Sequence, residues 1–193
     1  MVKYRVILAS KSPRRRDLLG EMGHEFDIRT LEGIDESYPD GLTAQETALH
    51  IAEKKRAAFL PTLGADELLI TADTIVCLDD VVLGKPEDDE EACEMLRRLS
   101  GRSHDVVTGV TVTTGDGKFQ KAFAVTTRVV FAELSEDTIR HYVERYKPLD
   151  KAGAYGIQEW IGTVGILEID GSYNNVVGLP TAQLKAVIEE ACA

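Results

Sequence analysis

The stretch Tyr4-Arg5-Val6-Ile7-Leu8-Ala9-Ser10-Lys11-Ser12-Pro13-Arg14-Arg15-Arg16 passes from a strand straight into a helix. Tyr4 to Ala9 is short and β-rich, as a first strand should be. Ser12 and Pro13 then suit the cap and first position of a helix running to about Met22. A serine hydroxyl accepts an orphan N–H there, and proline has no N–H to lose. Outward from this start, His24 to Arg29 alternates like a strand. Thr43-Ala44-Gln45-Glu46 is a capping box opening a second helix that runs to about Leu60. Leu68 to Leu78 is an apolar strand, followed by a turn at Asp79-Asp80 and a short strand to Leu83. Asp88 to Leu99 is a helix whose acidic first turn suits the macrodipole.

The clearest hairpin signal is Gly115-Asp116-Gly117, between Val106–Thr114 and Phe119–Phe131. Ser135 to Tyr146 forms another helix. Ile161 to Ile169 and Tyr173 to Val177 are expected as strands around Asp170-Gly171, and Pro180 begins the last helix. Helices thus interleave with hairpins and with isolated strands, which predicts an α/β fold on a mixed sheet.

A chain of 193 residues is long enough to bury most of its apolar surface in one domain or in two lobes sharing a core. Its 44% hydrophobic and 28% charged residues exclude a disordered chain. No apolar run reaches the roughly 18 residues that span a bilayer, and the start lacks a signal peptide's features. Cys77, Cys93 and Cys192 are far apart with no CxxC pair, which suggests a reducing, cytoplasmic setting. The net charge of −11 counts against nucleic-acid partners and anionic membranes. An anionic ligand must therefore meet local positive charge, or arrive with a metal ion.

Local positive charge gathers at Lys11, Arg14, Arg15 and Arg16. Three arginines in a first helical turn oppose the macrodipole at about 0.3–1 kcal/mol each. Ser10, free N–H groups and guanidinium forks at a helix start together suit phosphate. The alternative is a solvated basic turn balanced by Asp17 and Glu21. Asp73 interrupts the run Ile70-Thr71-Ala72-Asp73-Thr74-Ile75-Val76, so its carboxylate must be hydrogen-bonded, paired with a cation or bound to metal. The alternative is a bulge or strand end at which it caps local N–H groups. Asp35-Glu36 offers further hard oxygen ligands. Lys85, in Leu83-Gly84-Lys85-Pro86, fits a fixed point charge or an ordinary turn, and Lys55 on a helix is equally open. In Asp150-Lys151-Ala152-Gly153-Ala154-Tyr155-Gly156-Ile157-Gln158 the glycines permit close backbone approach, and the Gln158 amide offers one donor and one acceptor face to a base edge. There is no P-loop or GxGxxG fingerprint, and the four histidines show no metal-ligand spacing.

On these residues the chain resembles the Maf family of nucleoside triphosphate pyrophosphatases. The resemblance begins at Ile7 to Arg15 with Leu18-Leu19. It continues through Ala72-Asp73-Thr74, Gly84-Lys85-Pro86, Leu99-Ser100-Gly101, Asp150-Lys151-Ala152-Gly153 and Val177-Gly178-Leu179-Pro180. It implies one domain over residues 1–193, with two lobes around an elongated mixed β-sheet, flanking helices and a central cleft. It also implies hydrolysis of a nucleoside triphosphate to monophosphate and pyrophosphate with a divalent metal, Mg2+ or Mn2+, as housecleaning of the nucleotide pool. Members preferring dTTP and UTP carry Tyr-Gly-Ile-Gln where this chain has Tyr155 to Gln158.

Further, the resemblance places Arg14, Thr74 and Gln158 at positions of substrate choice and Asp73 at the proton acceptor. Ser10, Arg15, Glu36, Lys55 and Lys85 match other active-site positions. Glu36 and Asp73 are the expected metal ligands, and Asp73 is open between base and ligand. A homodimer and a link to septum formation are implied as well. The contrasting expectation is a regulator of cell division that binds nucleotide without turning it over.

Overall fold

The computed structural model of the chain describes residues 4–193; Met1-Val2-Lys3, on which the expectation about a signal peptide partly rests, lie outside the described residues. Seven strands form one mixed sheet in the order β2-β1-β3-β5-β6-β7, with β4 paired to β3. They are β1 (Arg5–Leu8), β2 (Phe26–Ile28), β3 (Glu67–Leu78), β4 (Val81–Leu83), β5 (Ser103–Thr114), β6 (Gln120–Phe131) and β7 (Ile166–Asp170). The helices are α1 (Pro13–Glu21), α2 (Ala44–Phe59), α3 (Asp89–Leu99), α4 (Glu136–Tyr146), α5 (Trp160–Val164), α6 (Tyr173–Val177) and α7 (Thr181–Ala191). β1 is parallel to both β2 and β3, whereas β4 is antiparallel to β3 and β7 to β6.

The chain divides into two compact units. The first holds the described residues up to Asp73, then Thr108–Val125 and Gly178–Ala193. Its strands β1 and β3 pair in parallel and are buried on both faces, so Val6-Ile7-Leu8 and Leu68-Leu69-Ile70 read as unbroken apolar runs. Ile7, Ala9, Phe59 and Leu69 form a core closed by Leu31, Ile34 and Leu63. Glu67, at the head of β3, is only 2% exposed. Its carboxylate pairs with Arg5 and Arg29, the latter at 2.8 Å, and accepts the Gly64 N–H at 2.9 Å. Sequence reasoning gave no sign of this buried carboxylate and its two arginines.

The second unit holds Thr74–Val107 and Thr126–Val177. Its core includes Val76, Leu96, Leu99, Phe131, Tyr142, Tyr155 and Ile161. The buried His104 places Nε2 2.7 Å from the Tyr155 hydroxyl, and burial lowers its pKa to about 4. A histidine with a lowered folded-state pKa contributes stability that is complete above its unfolded pKa of 6.5 and is lost as the pH falls toward 4. Urea unfolding should therefore show a loss of about 2 kcal/mol between pH 7 and pH 5. That loss should shrink in a His104→Leu variant; an unchanged pH slope would assign the effect to other groups.

Most element expectations hold. Ser12 caps α1 with Pro13 at its first position, and the Thr43–Glu46 capping box is complete. Asp79 and Asp80 both take positive φ, 49° and 64°, as a tight two-residue turn requires. Two expectations need correction. Ile161 to Ile169 is not one strand: residues up to Val164 belong to α5, and β7 starts at Ile166. Tyr173 to Val177 is a five-residue helix, not a strand. Ser172 accepts the Asn175 N–H in its first turn, and the buried Asn175 amide donates to Val106 O at 3.1 Å and Thr127 Oγ1 at 3.0 Å. That tertiary anchoring overrides the β preference of Val176 and Val177.

Candidate active site

The site begins where β1 ends. Ala9 N–H donates to Ile70 O, so the chain leaves the sheet at Ser10. Ser10 Oγ accepts the Ser12 N–H at 3.1 Å, and Ser12 Oγ accepts the Arg15 N–H at 3.4 Å. The first turn of α1 contains no acidic residue. Its arginines divide. Arg16 pairs at the surface with Asp17 at 3.3 Å, as the solvated alternative expected. Lys11 likewise pairs with the exposed Glu32. Arg15 instead is half-buried, and its Nε donates to Gly178 O at 2.8 Å. Burial pushes the Arg15 pKa down and Arg14 pushes it further, while Asp73 and Glu36 pull it back up. Those influences place Arg14, Arg15, Glu36 and Asp73 in one electrostatic neighbourhood.

α2 supplies the cation at its centre. The Thr71 hydroxyl on β3 donates to Ala52 O at 2.7 Å, fixing α2 against the strand one turn before Lys55. Lys55 Nζ lies 2.7 Å from Asp73 Oδ1 and 3.0 Å from Glu36 Oε1. The Lys55 and Asp73 side chains are each only 13% exposed, so this is a partly desolvated pair and not a surface contact. The neighbouring Lys54 holds the loop in place: its Nζ lies 2.6 Å from Asp35 Oδ2 and 2.9 Å from Ser37 O. The Lys54 ammonium and the Ser37 groups keep the Asp35 carboxyl well below its ordinary range. Asp35 is thereby committed to the loop, and Glu36 is the acid that reaches Lys55.

Among the described residues no group of three or more His, Cys, Asp and Glu side chains could hold a metal ion. What is present is an acid pair sharing one ammonium. Two hard carboxylates are the protein ligand set that Mg2+ and Mn2+ commonly accept alongside phosphate oxygens, so the donor chemistry fits such an ion. A cavity of 380 Å3 lined by Tyr4, Arg5, Glu25, Phe26, Asp27 and Asp66 surrounds the start of β1, the end away from Ser10, and contains none of the candidate residues.

The other expected residues lie in the second unit. Thr74 is half-buried, next after Asp73 in β3 and therefore on the opposite face of the strand. Lys85 is exposed in the loop after β4, and Gln158 is exposed before α5. Gly153 N–H donates to Gly84 O at 3.0 Å, which ties these two loops together. Gly153 takes φ +67°, and a Cβ there would come within 3.0 Å of Val76. Sequence reasoning missed the polar cluster beneath Gln158. Lys151 is 7% exposed and pairs with Asp150 at 2.7 Å and Glu159 at 3.0 Å. The signal was a lysine inside a run of small residues.

The profile of the Maf family, described as Maf-like protein, matches residues 5–191. A dTTP/UTP pyrophosphatase of Phocaeicola vulgatus is 54% identical over 182 residues, covering 94% of this chain and 93% of that protein. One from Porphyromonas gingivalis is 46% identical over 181 residues, covering 92% and 89%. Among solved structures, the Staphylococcus aureus Ham1 protein matches with a TM-score of 0.53 at 17% identity, covering 97% of this chain and 99% of that one. A HAM1 protein from Coxiella burnetii matches with a TM-score of 0.51 at 16% identity, with the same coverage. These two likenesses concern the fold alone. With its profile matched from Arg5 to Ala191 and relatives about half identical along nearly the whole chain, this protein belongs to the Maf family.

Proposed function

We propose that this chain hydrolyses dTTP and UTP to the nucleoside monophosphate and pyrophosphate. The observation that carries the reading is Lys55 Nζ held between Glu36 and Asp73, in the field of Arg15 at the start of α1. Three cations, Arg14, Arg15 and Lys55, share one neighbourhood with two carboxylates in a chain of net charge −11. A locally cationic patch carrying an acid suits a polyphosphate that must be held and then attacked by water. The names of the relatives support the same activity and the same pair of substrates.

In this reading Ser10, Arg14, Arg15 and Lys55 hold phosphate oxygens. Thr74, Lys85 and Gln158 are assigned to substrate by the family motifs they occupy. Asp73 takes the proton of the attacking water. The new bond forms from that oxygen to the α-phosphorus. The bond from the α-phosphorus to the bridging oxygen breaks, and pyrophosphate leaves with the electron pair. Glu36 and Asp73 would hold a divalent ion, which supplies charge neutralisation to the phosphates when bound. The Gln158 amide reads the pyrimidine edge, where a wrong base leaves polar groups unpaired. The activity is assigned to one domain over residues 1–193. Three free cysteines are in keeping with a cytoplasmic setting, and no described helix is long and apolar enough to cross a membrane.

The test is product identification after incubating the purified protein with dTTP and Mg2+. Monophosphate with pyrophosphate supports the reading. Released orthophosphate would indicate a phosphatase, and unaltered bound nucleotide a regulator. Replacing Gln158 with Ala should lower the preference for dTTP over dGTP, measured as a ratio of kcat/KM, by about tenfold or more. An unchanged ratio would remove Gln158 from base selection.

A further inference from the structure

Tyr142 on α4 is fully buried, yet its hydroxyl is used twice. It donates to the Glu159 carboxylate and accepts the Gly156 N–H at 3.0 Å. Glu159 also pairs with the buried Lys151 at 3.0 Å, and Lys151 pairs in turn with Asp150 at 2.7 Å. The two residues that Tyr142 grips, Gly156 and Glu159, lie on either side of Ile157-Gln158. The turn closes with Glu159 N–H donating to Gly156 O at 3.0 Å.

Glu159 stands at the N-cap position of α5 but makes no capping bond with its side chain. Its carboxylate goes to Tyr142 and Lys151 instead, so local helix chemistry does not account for it. The packing around Gly156 is equally specific. A Cβ there would meet Gln158 Nε2 at 2.8 Å, Glu159 Cδ at 3.0 Å and Lys151 Cε at 3.0 Å. The Gln158 amide therefore rests against the turn that the cluster holds. A buried tyrosine hydroxyl and a largely desolvated lysine–carboxylate pair are costly unless mutually satisfied. Their joint satisfaction allows one arrangement of the turn.

The geometry points to Tyr142, Glu159 and Lys151 as positioning residues for Gln158, so that the cluster joining α4 to the loop before α5 sets how sharply the protein chooses its base. This inference rests on the proposed role of Gln158. Tyr142→Phe removes one hydroxyl and leaves Gly156 N–H and Glu159 without that partner. The preference for dTTP over dGTP, as a ratio of kcat/KM, should then fall about threefold to tenfold, and by no more than in Gln158→Ala. The folded fraction cancels in that ratio, so a loss of stability alone does not move it.

The deciding experiment is a double-mutant cycle between Tyr142→Phe and Gln158→Ala. If the cluster acts through Gln158, adding Tyr142→Phe to Gln158→Ala leaves the ratio where Gln158→Ala alone put it. Multiplying losses, or an unchanged ratio in Tyr142→Phe alone, would overturn the inference while leaving Gln158 in its role. An unchanged ratio in Gln158→Ala would overturn the reading of Gln158 and the inference with it. Glu159→Gln repeats the cycle where Tyr142→Phe does not fold. It keeps an acceptor for Tyr142 but withdraws the charge facing Lys151, and it should cost less selectivity than Glu159→Leu. Equal losses in those two variants would also overturn the assignment.

Discussion

Asp73→Asn is expected to lower kcat with dTTP by about 10^2- to 10^4-fold while the protein stays folded. Asparagine has nearly the same shape, and its carbonyl can still accept the Lys55 N–H that Asp73 Oδ1 takes at 2.7 Å. What it lacks is a group that takes a proton from water. It also removes one of the two carboxylates that would hold a divalent ion, so the loss combines both roles. Steady-state pyrophosphate release, with circular dichroism as the check on folding, measures it. Turnover near the parent value in Mg2+ would end the assignment of Asp73 to the chemistry.

Glu67→Gln should produce the largest loss of stability among the substitutions considered, about 2–3 kcal/mol. The carboxylate is buried, and its pKa is drawn down to about 2, first by the Arg29 hydrogen bond and then by Gly64 N–H and Arg5. A depressed folded-state pKa means stability that is complete above the unfolded value near 4.5 and disappears as the pH falls toward 2. A neutral amide at this position places an NH2 group against two guanidinium groups. For a chain of this length the melting temperature should fall by about 4–10 °C at pH 7. Parent and variant should converge near pH 2. A difference that persists undiminished there would show that packing, not charge, carries the effect. Glu67 lies at the amino end of β3 and Asp73 further along it, so catalysis per folded molecule should change little.

The parts of the fold that were legible in the sequence are those governed by local chemistry. Ser12-Pro13, the Thr43–Glu46 box and the Asp79-Asp80 turn each solve a problem of backbone N–H groups or φ angles within four residues. Tyr173–Val177 reads as a strand in the sequence because a five-residue run with two valines carries no period of its own. Its helix depends on Asn175 reaching Val106 and Thr127, which are distant in sequence. The candidate site divides the same way. The excess of arginine against the α1 dipole was visible, but nothing local separated Arg15, drawn toward Gly178, from Arg16, paired with Asp17. Lys55 looked like any helix lysine, since its partners Asp73 and Glu36 lie 18 and 19 residues away and meet it only through the packing of α2 on β3. Tyr142 stands out in no local pattern, because its hydroxyl acquires meaning only against Gly156 and Glu159.

The ammonium lodged between Glu36 and Asp73 complicates any experiment that deletes it. Taking away Lys55 strips a grip from the incoming polyanion and, in the same stroke, withdraws from two carboxylates the cation they share. A crippled Lys55→Ala enzyme would thus confound two injuries, and only a partner change that also silences Glu36 could tell a missing handhold from a quarrel between acids.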